Sequence, residues 1–164
     1  GTGFCLQCRG AGFSLEAGHP NVYAPRKRPF HTIIPAFVLK DGAPWMSFGV
    51  MGADMQPQGQ VQVLVNMIDF EMDPQAAGDA ARMRHFGGAQ PNGERYDELG
   101  VVQYEPGFAP ELIEALRERG HNMQKIDDWI TGFVGGYQAI QRDDERKVYT
   151  AGSEPRLDGC ALGY

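Results

Sequence analysis

The chain has 164 residues, 42% of them hydrophobic, enough for one domain with a real core and too few for two domains of ordinary size. Its 15 Lys and Arg against 21 Asp and Glu leave a formal charge of -6, which provides no general field for a polyanion and argues against a nucleic-acid partner. No apolar run approaches the roughly 20 residues of a membrane-spanning helix, and Gly1-Thr2-Gly3-Phe4 lacks the charged start of a signal peptide, so a soluble chain with no membrane partner is expected.

Thr2 to Gln7 reads as a strand running into a turn at Arg9-Gly10-Ala11-Gly12, where two glycines allow positive φ. A start without Met, straight into a strand, suggests a processed chain or a fragment. Cys5 and Cys8 have redox or zinc spacing, but no second pair completes a ligand set, and on a strand residues three apart face opposite ways. With Cys160 they are read as ordinary buried thiols, which favours a reducing compartment and hence the cytoplasm over the periplasm. No metal or cofactor is expected.

Leu15 to Pro29 is a long loop, and its basic run Arg26-Lys27-Arg28 reads as solvated. His31 to Leu39 and Pro44 to Val50 read as strands joined through Asp41-Gly42, a hairpin signal. Apolar residues on both of their faces imply a sheet covered above and below. Gln60 to Met72 fits a strand or a helix with Val61, Leu64, Val65 and Ile68 on one stripe, and its length favours the helix. Asp73-Pro74 resembles an N-cap opening a helix to about Met83. A third helix starts near Pro110, shows Leu112, Ile113 and Leu116 on one face and stops at Gly120. Strands follow at Asn122 to Ile126, Phe133 to Gln141 and Lys147 to Ala151, with Asp143-Asp144-Glu145-Arg146 as a hairpin tip. The expected class is α+β, one domain spanning residues 1–164.

The most suggestive chemistry is Gly49-Val50-Met51-Gly52-Ala53-Asp54, a small-residue turn between a buried strand and a helix. Such a turn aims backbone N–H groups at one point, as acyl transfer requires for its oxyanion; the bland alternative is a tight connection. His31 and Thr32, at the start of a buried strand, face either a pocket or a satisfied core. His19, His85 and His121 stand at no ligand spacing, and Met46, Met51, Met55 and Met67 read as core filling. No Ser, Cys or Thr has a recognisable nucleophile context.

Gly18-His19-Pro20-Asn21, Lys27-Arg28-Pro29, Lys40-Asp41-Gly42, Gly49-Val50-Met51-Gly52, Ala151-Gly152-Ser153-Glu154-Pro155-Arg156 and Leu162-Gly163-Tyr164 follow one another in an order that resembles γ-glutamyltransferases. The resemblance implies part of an N-terminal-nucleophile hydrolase, an α/β/β/α sandwich, here the C-terminal portion of the small subunit, with Tyr164 as natural C-terminus. It implies an upstream Thr as nucleophile; Thr2 matches a later strand entry instead. The expected partners are the large subunit of the same precursor, the missing N-terminal part of the small subunit and a small-molecule amide. The oxyanion hole maps to Gly52 and Ala53, and the substrate carboxylate site to His31 and Thr32. Where the family carries an acidic residue for the substrate ammonium stands Gly12, and three residues earlier stands Arg9. This pattern resembles the branch with cephalosporin and glutaryl acylases more than strict γ-glutamyl enzymes. A non-catalytic binding or structural fragment is the alternative from another class.

Overall fold

A computed structural model describes residues 3–5, 7–87, 100–126 and 134–163. The chain divides into two compact units, Gly1–Thr32 with Gly87–Gly100, and Ile33–Phe86 with Val101–Tyr164. In the first, Arg9–Gly12 forms a 3-10 turn rather than a loop with positive φ at Gly10 and Gly12. The expected strand from Thr2 to Gln7 does not form among the described residues; Thr2 and Leu6 lie outside them. Without a sheet to cover them, Cys5 and Cys8 are exposed, as is Cys160, so the expectation of buried thiols fails. The long loop is as expected, closed on itself by the Ser14–Val22 bridge and by Phe13 edge-on to Tyr23 at 5.6 Å.

The second unit contains two sheets. Strands β1 (Ala36–Lys40), β2 (Ala43–Met51), β6 (Gly136–Asp143) and β7 (Val148–Ser153) form an antiparallel sheet in the order β1-β2-β6-β7. Asp41 and Gly42 turn β1 into β2 at φ 52° and 80°, the left-handed pair that matches strand twist. The first strand begins at Ala36, not at His31, because Pro35 offers no donor to extend the ladder. His31 is therefore exposed and Thr32 half-buried, not members of a buried strand. At the other hairpin, Asp143 Oδ1 accepts from the N–H groups of Glu145 and Arg146, as a solvated tip should. Phe133, the expected start of the preceding strand, lies outside the described residues, as does Tyr164.

One face of this sheet, through Met46, Phe48, Val50, Tyr137 and Ala139, packs on Val63 and Met67 of α1 (Met55–Ile68) and Ala77 of α2 (Pro74–Asp79). The other face leaves Phe37, Leu39, Met51 and Ile140 each more than half exposed, so cover on both sides is not provided among the described residues. The helix expected at Gln60 to Met72 runs from Met55, with Pro57 harmless in its first turn. It is also rotated from the expected stripe: Met55, Gly59, Val63 and Met67 are buried, while Val61 and Ile68 face outward. As expected, Asp73 caps α2, its carboxylate accepting from Ala76 N at 2.9 Å.

The other sheet has the order β3-β4-β5, formed by Met83–Phe86, Val101–Tyr104 and Asn122–Lys125. β4 and β5 are parallel and are separated in the chain by α3 (Pro110–Glu118), whose Ile113 joins Tyr104 and Met123 in a second cluster. The open edge of β3 is satisfied by side chains of α1. Gln62 bonds both the N–H and the carbonyl of Met83, and Gln58 does the same for His85.

Three buried ion pairs among four residues join the sheets. Arg82 and Glu105 extend the β3–β4 pairing, with Glu105 N donating to Arg82 O and Arg82 N to Glu105 Oε2. Beyond β7, Glu154 takes Arg82 Nη2 at 2.5 Å and Arg156 Nη1 at 2.7 Å, while Arg156 also grips Glu105 through Nε and Nη2. All four residues are less than a tenth exposed. Two guanidinium and two carboxylate groups cancel in charge, and main-chain carbonyls take up further donors, which makes such burial tolerable.

Candidate active site

At the end of β2 the chain must turn into α1 within three residues. It does so with Gly52 at φ 138° and Ala53 at φ 51°, successive residues in a region that side chains disfavour. Their carbonyls accept from Met55 N and Gln56 N at 3.0 and 3.1 Å, opening the helix with tight turns. Their own N–H groups donate to no other group among the described residues. Two adjacent unpaired donors at a helix N-terminus are what an oxyanion or carboxylate needs. The Asp54 carboxylate that follows acts on Arg84: burial lowers the guanidinium pKa and Asp54 partly restores it.

The turn is backed by main chain. A Cβ on Gly52 would lie 3.0 Å from Gly135 Cα, and one on Gly135 would lie 2.6 Å from Met51 O. Gly135, itself at φ 85°, therefore stands directly behind the turn. Neither Gly135 nor the charges that hold it carried a local signal, since Arg82 and Glu154 are 72 positions apart. The one clue was the charged pair within Gly152-Ser153-Glu154-Pro155-Arg156.

In the other unit the structure brings three of the expected substrate-binding residues together with Gln7. Arg9 turns inward, donating from Nη1 to Thr32 Oγ1 at 2.6 Å and from Nη2 to Cys8 Sγ at 3.4 Å. Its Nε is buried without a partner among the described residues. His31 Nε2 lies 3.5 Å from Gln7 Nε2. Among the described residues Gly12 bonds through its carbonyl, which accepts from Asn21 Nδ2 at 2.7 Å, and a side chain there would meet nothing within 4 Å. The group offers a permanent cation, a hydroxyl and an imidazole without a neighbouring carboxylate at position 12, a set suited to an anion. Among the methionines, Met46, Met55 and Met67 fill the core as expected, but Met51 points to the open face.

Comparison with known proteins identifies the family and the fold. The family profile described as Gamma-glutamyltranspeptidase matches residues 1–164. The Glutathione hydrolase-like YwrD proenzyme of Bacillus subtilis is 37% identical over 162 residues, and the Oxamate amidohydrolase proenzyme of Klebsiella pneumoniae is 36% identical over 163. Each alignment covers 99% of this chain and 29% of the relative, so the chain spans less than a third of the length of these proteins. The crystal structure of cephalosporin acylase from Bacillus halodurans superposes with a TM-score of 0.81 at 42% identity, over 99% of this chain and 28% of that one. The α+β architecture, with its strand-to-helix turn, is thus a portion of the N-terminal-nucleophile hydrolase fold, and the chain belongs to the γ-glutamyltranspeptidase family.

Proposed function

We propose that residues 1–164 are the C-terminal part of the small subunit of an autoprocessed amide hydrolase that acts by acyl transfer. The observation that carries this reading is the pair of N–H groups at Gly52 and Ala53, unpaired among the described residues and held at positive φ where α1 begins. The nucleophile is the terminal Thr of the small subunit, upstream of Gly1. Its hydroxyl oxygen attacks the amide carbon while its proton passes to the α-amine. The carbonyl electron pair moves onto oxygen, and the resulting alkoxide is held by the N–H groups of Gly52 and Ala53. Collapse of this intermediate breaks the C–N bond, and the amine leaves with the proton. Water then cleaves the acyl ester and restores the threonine. The open sheet face with Phe37, Leu39, Met51 and Ile140 is where the rest of the small subunit and the large subunit pack.

The acyl group preferred is one with a terminal carboxylate and no neighbouring ammonium, glutaryl before γ-glutamyl. Gly12 supplies no anion for an ammonium, and Arg9 is turned in toward Thr32, where a guanidinium would repel one. The name of one relative agrees in kind, since oxamate carries a carboxylate and no α-ammonium. Losing a charge-assisted contact costs about 1.5–3 kcal/mol, roughly one to two decades in specificity. In the full-length enzyme, kcat/KM for glutaryl-p-nitroanilide should exceed that for the γ-glutamyl compound by about tenfold or more. Arg9→Gln with Gly12→Asp, for which the site has room, should reverse the order. The 164-residue segment alone should turn over neither compound. Turnover by the segment would refute the upstream nucleophile, and a γ-glutamyl preference unmoved by the double variant would refute the specificity.

A further inference from the structure

The Gly52–Ala53 turn has no side chain of its own with which to fix its direction, so something behind it must. Gly52 and Gly135 meet main chain to main chain: a Cβ on Gly52 would come within 3.0 Å of Gly135 Cα, and one on Gly135 within 2.6 Å of both Met51 O and Val50 Cγ1. The nearest atoms across the Gly52–Gly135 contact are main chain, with Val50 Cγ1 and the Met55 side chain packed beside them, so there is little slack to absorb a shift. A displacement of Gly135 is passed to the turn almost undiminished.

Gly135 is in turn held by buried charge. Arg82, with no exposed surface, donates from Nη1 to Val134 O at 3.1 Å and to Gly135 O at 3.4 Å. From Nη2 it donates to Gly78 O at 3.3 Å and to Glu154 Oε2 at 2.5 Å. The same Glu154 oxygen accepts from Tyr137 N at 2.8 Å. Both ends of the run from Val134 to Tyr137 are therefore tied to one ion pair, with Gly135 between them. The other half of the cluster meets this pair at Glu154 Oε1, Gly78 O and Arg82 N, but Arg156 otherwise reaches the carbonyls of Asp79 and Ala80, and neither Arg156 nor Glu105 bonds Val134 or Gly135 among the described residues.

We propose that the Arg82–Glu154 pair positions the oxyanion donors, by pinning Val134 and Gly135 behind Gly52 and so setting where the Gly52 and Ala53 N–H groups point. The inference rests on the assignment of those two groups as oxyanion donors. It follows from how steeply such a site depends on geometry. Donors must lie about 2.7–3.1 Å from where the charge develops, and an error near 1 Å costs on the order of a hundredfold. Substrate binding through the acyl group uses other residues, so the loss falls on the chemical step.

The test is Arg82→Lys in the full-length enzyme, with the two subunits produced from separate reading frames so that maturation does not limit the assay. Lysine keeps the charge facing Glu154 but not the fork that spans both carbonyls and the carboxylate. We expect kcat to fall about tenfold with KM within twofold of wild type. Affinity for a boronic acid analogue of the acyl group, which forms a tetrahedral adduct, should weaken in parallel, while affinity for the free carboxylic acid holds. Glu154→Gln, closer in shape, should give a smaller loss with the same pattern and serves if the lysine variant does not fold. Glu105→Gln should lower the melting temperature without moving kcat. Unchanged kcat and boronate affinity in the folded Arg82 or Glu154 variant, with only the melting temperature lowered, would overturn the proposal. Gly52→Val separates the two levels: if it too leaves kcat unchanged, the donor assignment fails, whereas loss in Gly52→Val alone defeats only the positioning role.

Discussion

Gly52→Val in the full-length enzyme should lower kcat for amide hydrolysis by about 10²–10³-fold with little change in KM, the loss typical of removing one oxyanion donor. The reason is steric and local. Gly52 sits at φ 138°, where a β-branched side chain is not accommodated, and its Cβ would press on Gly135 Cα at 3.0 Å and on Met55 Cβ at 3.3 Å. The peptide must rotate, and its N–H leaves the line of the oxyanion. Ala53→Gly is the control. It keeps the N–H and removes the cost of holding a Cβ at φ 51°, about 1–2 kcal/mol, so kcat should stay within a few-fold of wild type. Steady-state kinetics on both variants, with thermal melts to confirm folding, check the result.

Glu154→Ala should cost the protein about 3–5 kcal/mol, a large part of the total stability of a domain, because it leaves two buried guanidinium groups facing a cavity. Arg82 and Arg156 each lose an ionic partner, and Tyr137 N loses its acceptor. Urea unfolding of the full-length protein should show a lower midpoint, with Glu154→Gln in between. Burial pushes the Glu154 carboxyl upward, but the bonds from Arg156, Arg82 and Tyr137 N outweigh it and hold the group below the usual carboxylate range. A depressed folded pKa means that this stability is complete above the unfolded value, about 4.3, and is lost as pH falls through the lower folded value. Wild type should therefore lose stability in that acid range by a step that Glu154→Gln lacks.

The parts of the fold legible from sequence were those fixed by neighbouring residues. Asp41-Gly42, Asp73-Pro74, Pro110 with its apolar face and the Asp143 tip each act through main-chain geometry within four or five positions. The strands Met83–Phe86 and Val101–Tyr104 were not legible, being four residues each and mixed in polarity. Their stability comes from pairing with each other and, for β3, from the amides of Gln58 and Gln62, 27 and 21 positions away. The rotation of α1 is not legible in its sequence because Gly59 and the methionines, with Val63, and not the Val61-Leu64-Val65-Ile68 stripe, make the close contacts. In the candidate site, the small residues between β2 and α1 were a local signal, but positive φ at Ala53 was not, since alanine carries no preference for it. The contact of Arg9 with Thr32 spans 23 positions and left no trace in either segment.

The most direct test is a crystal structure of the full-length, processed enzyme with a boronic acid analogue of the acyl group. Boron should be bonded to the threonine that begins the small subunit, with one boronate oxygen within about 3.1 Å of both the Gly52 and Ala53 nitrogens. An adduct on any residue of this chain, or an oxygen held by other groups while those two N–H donors remain unused, would contradict it.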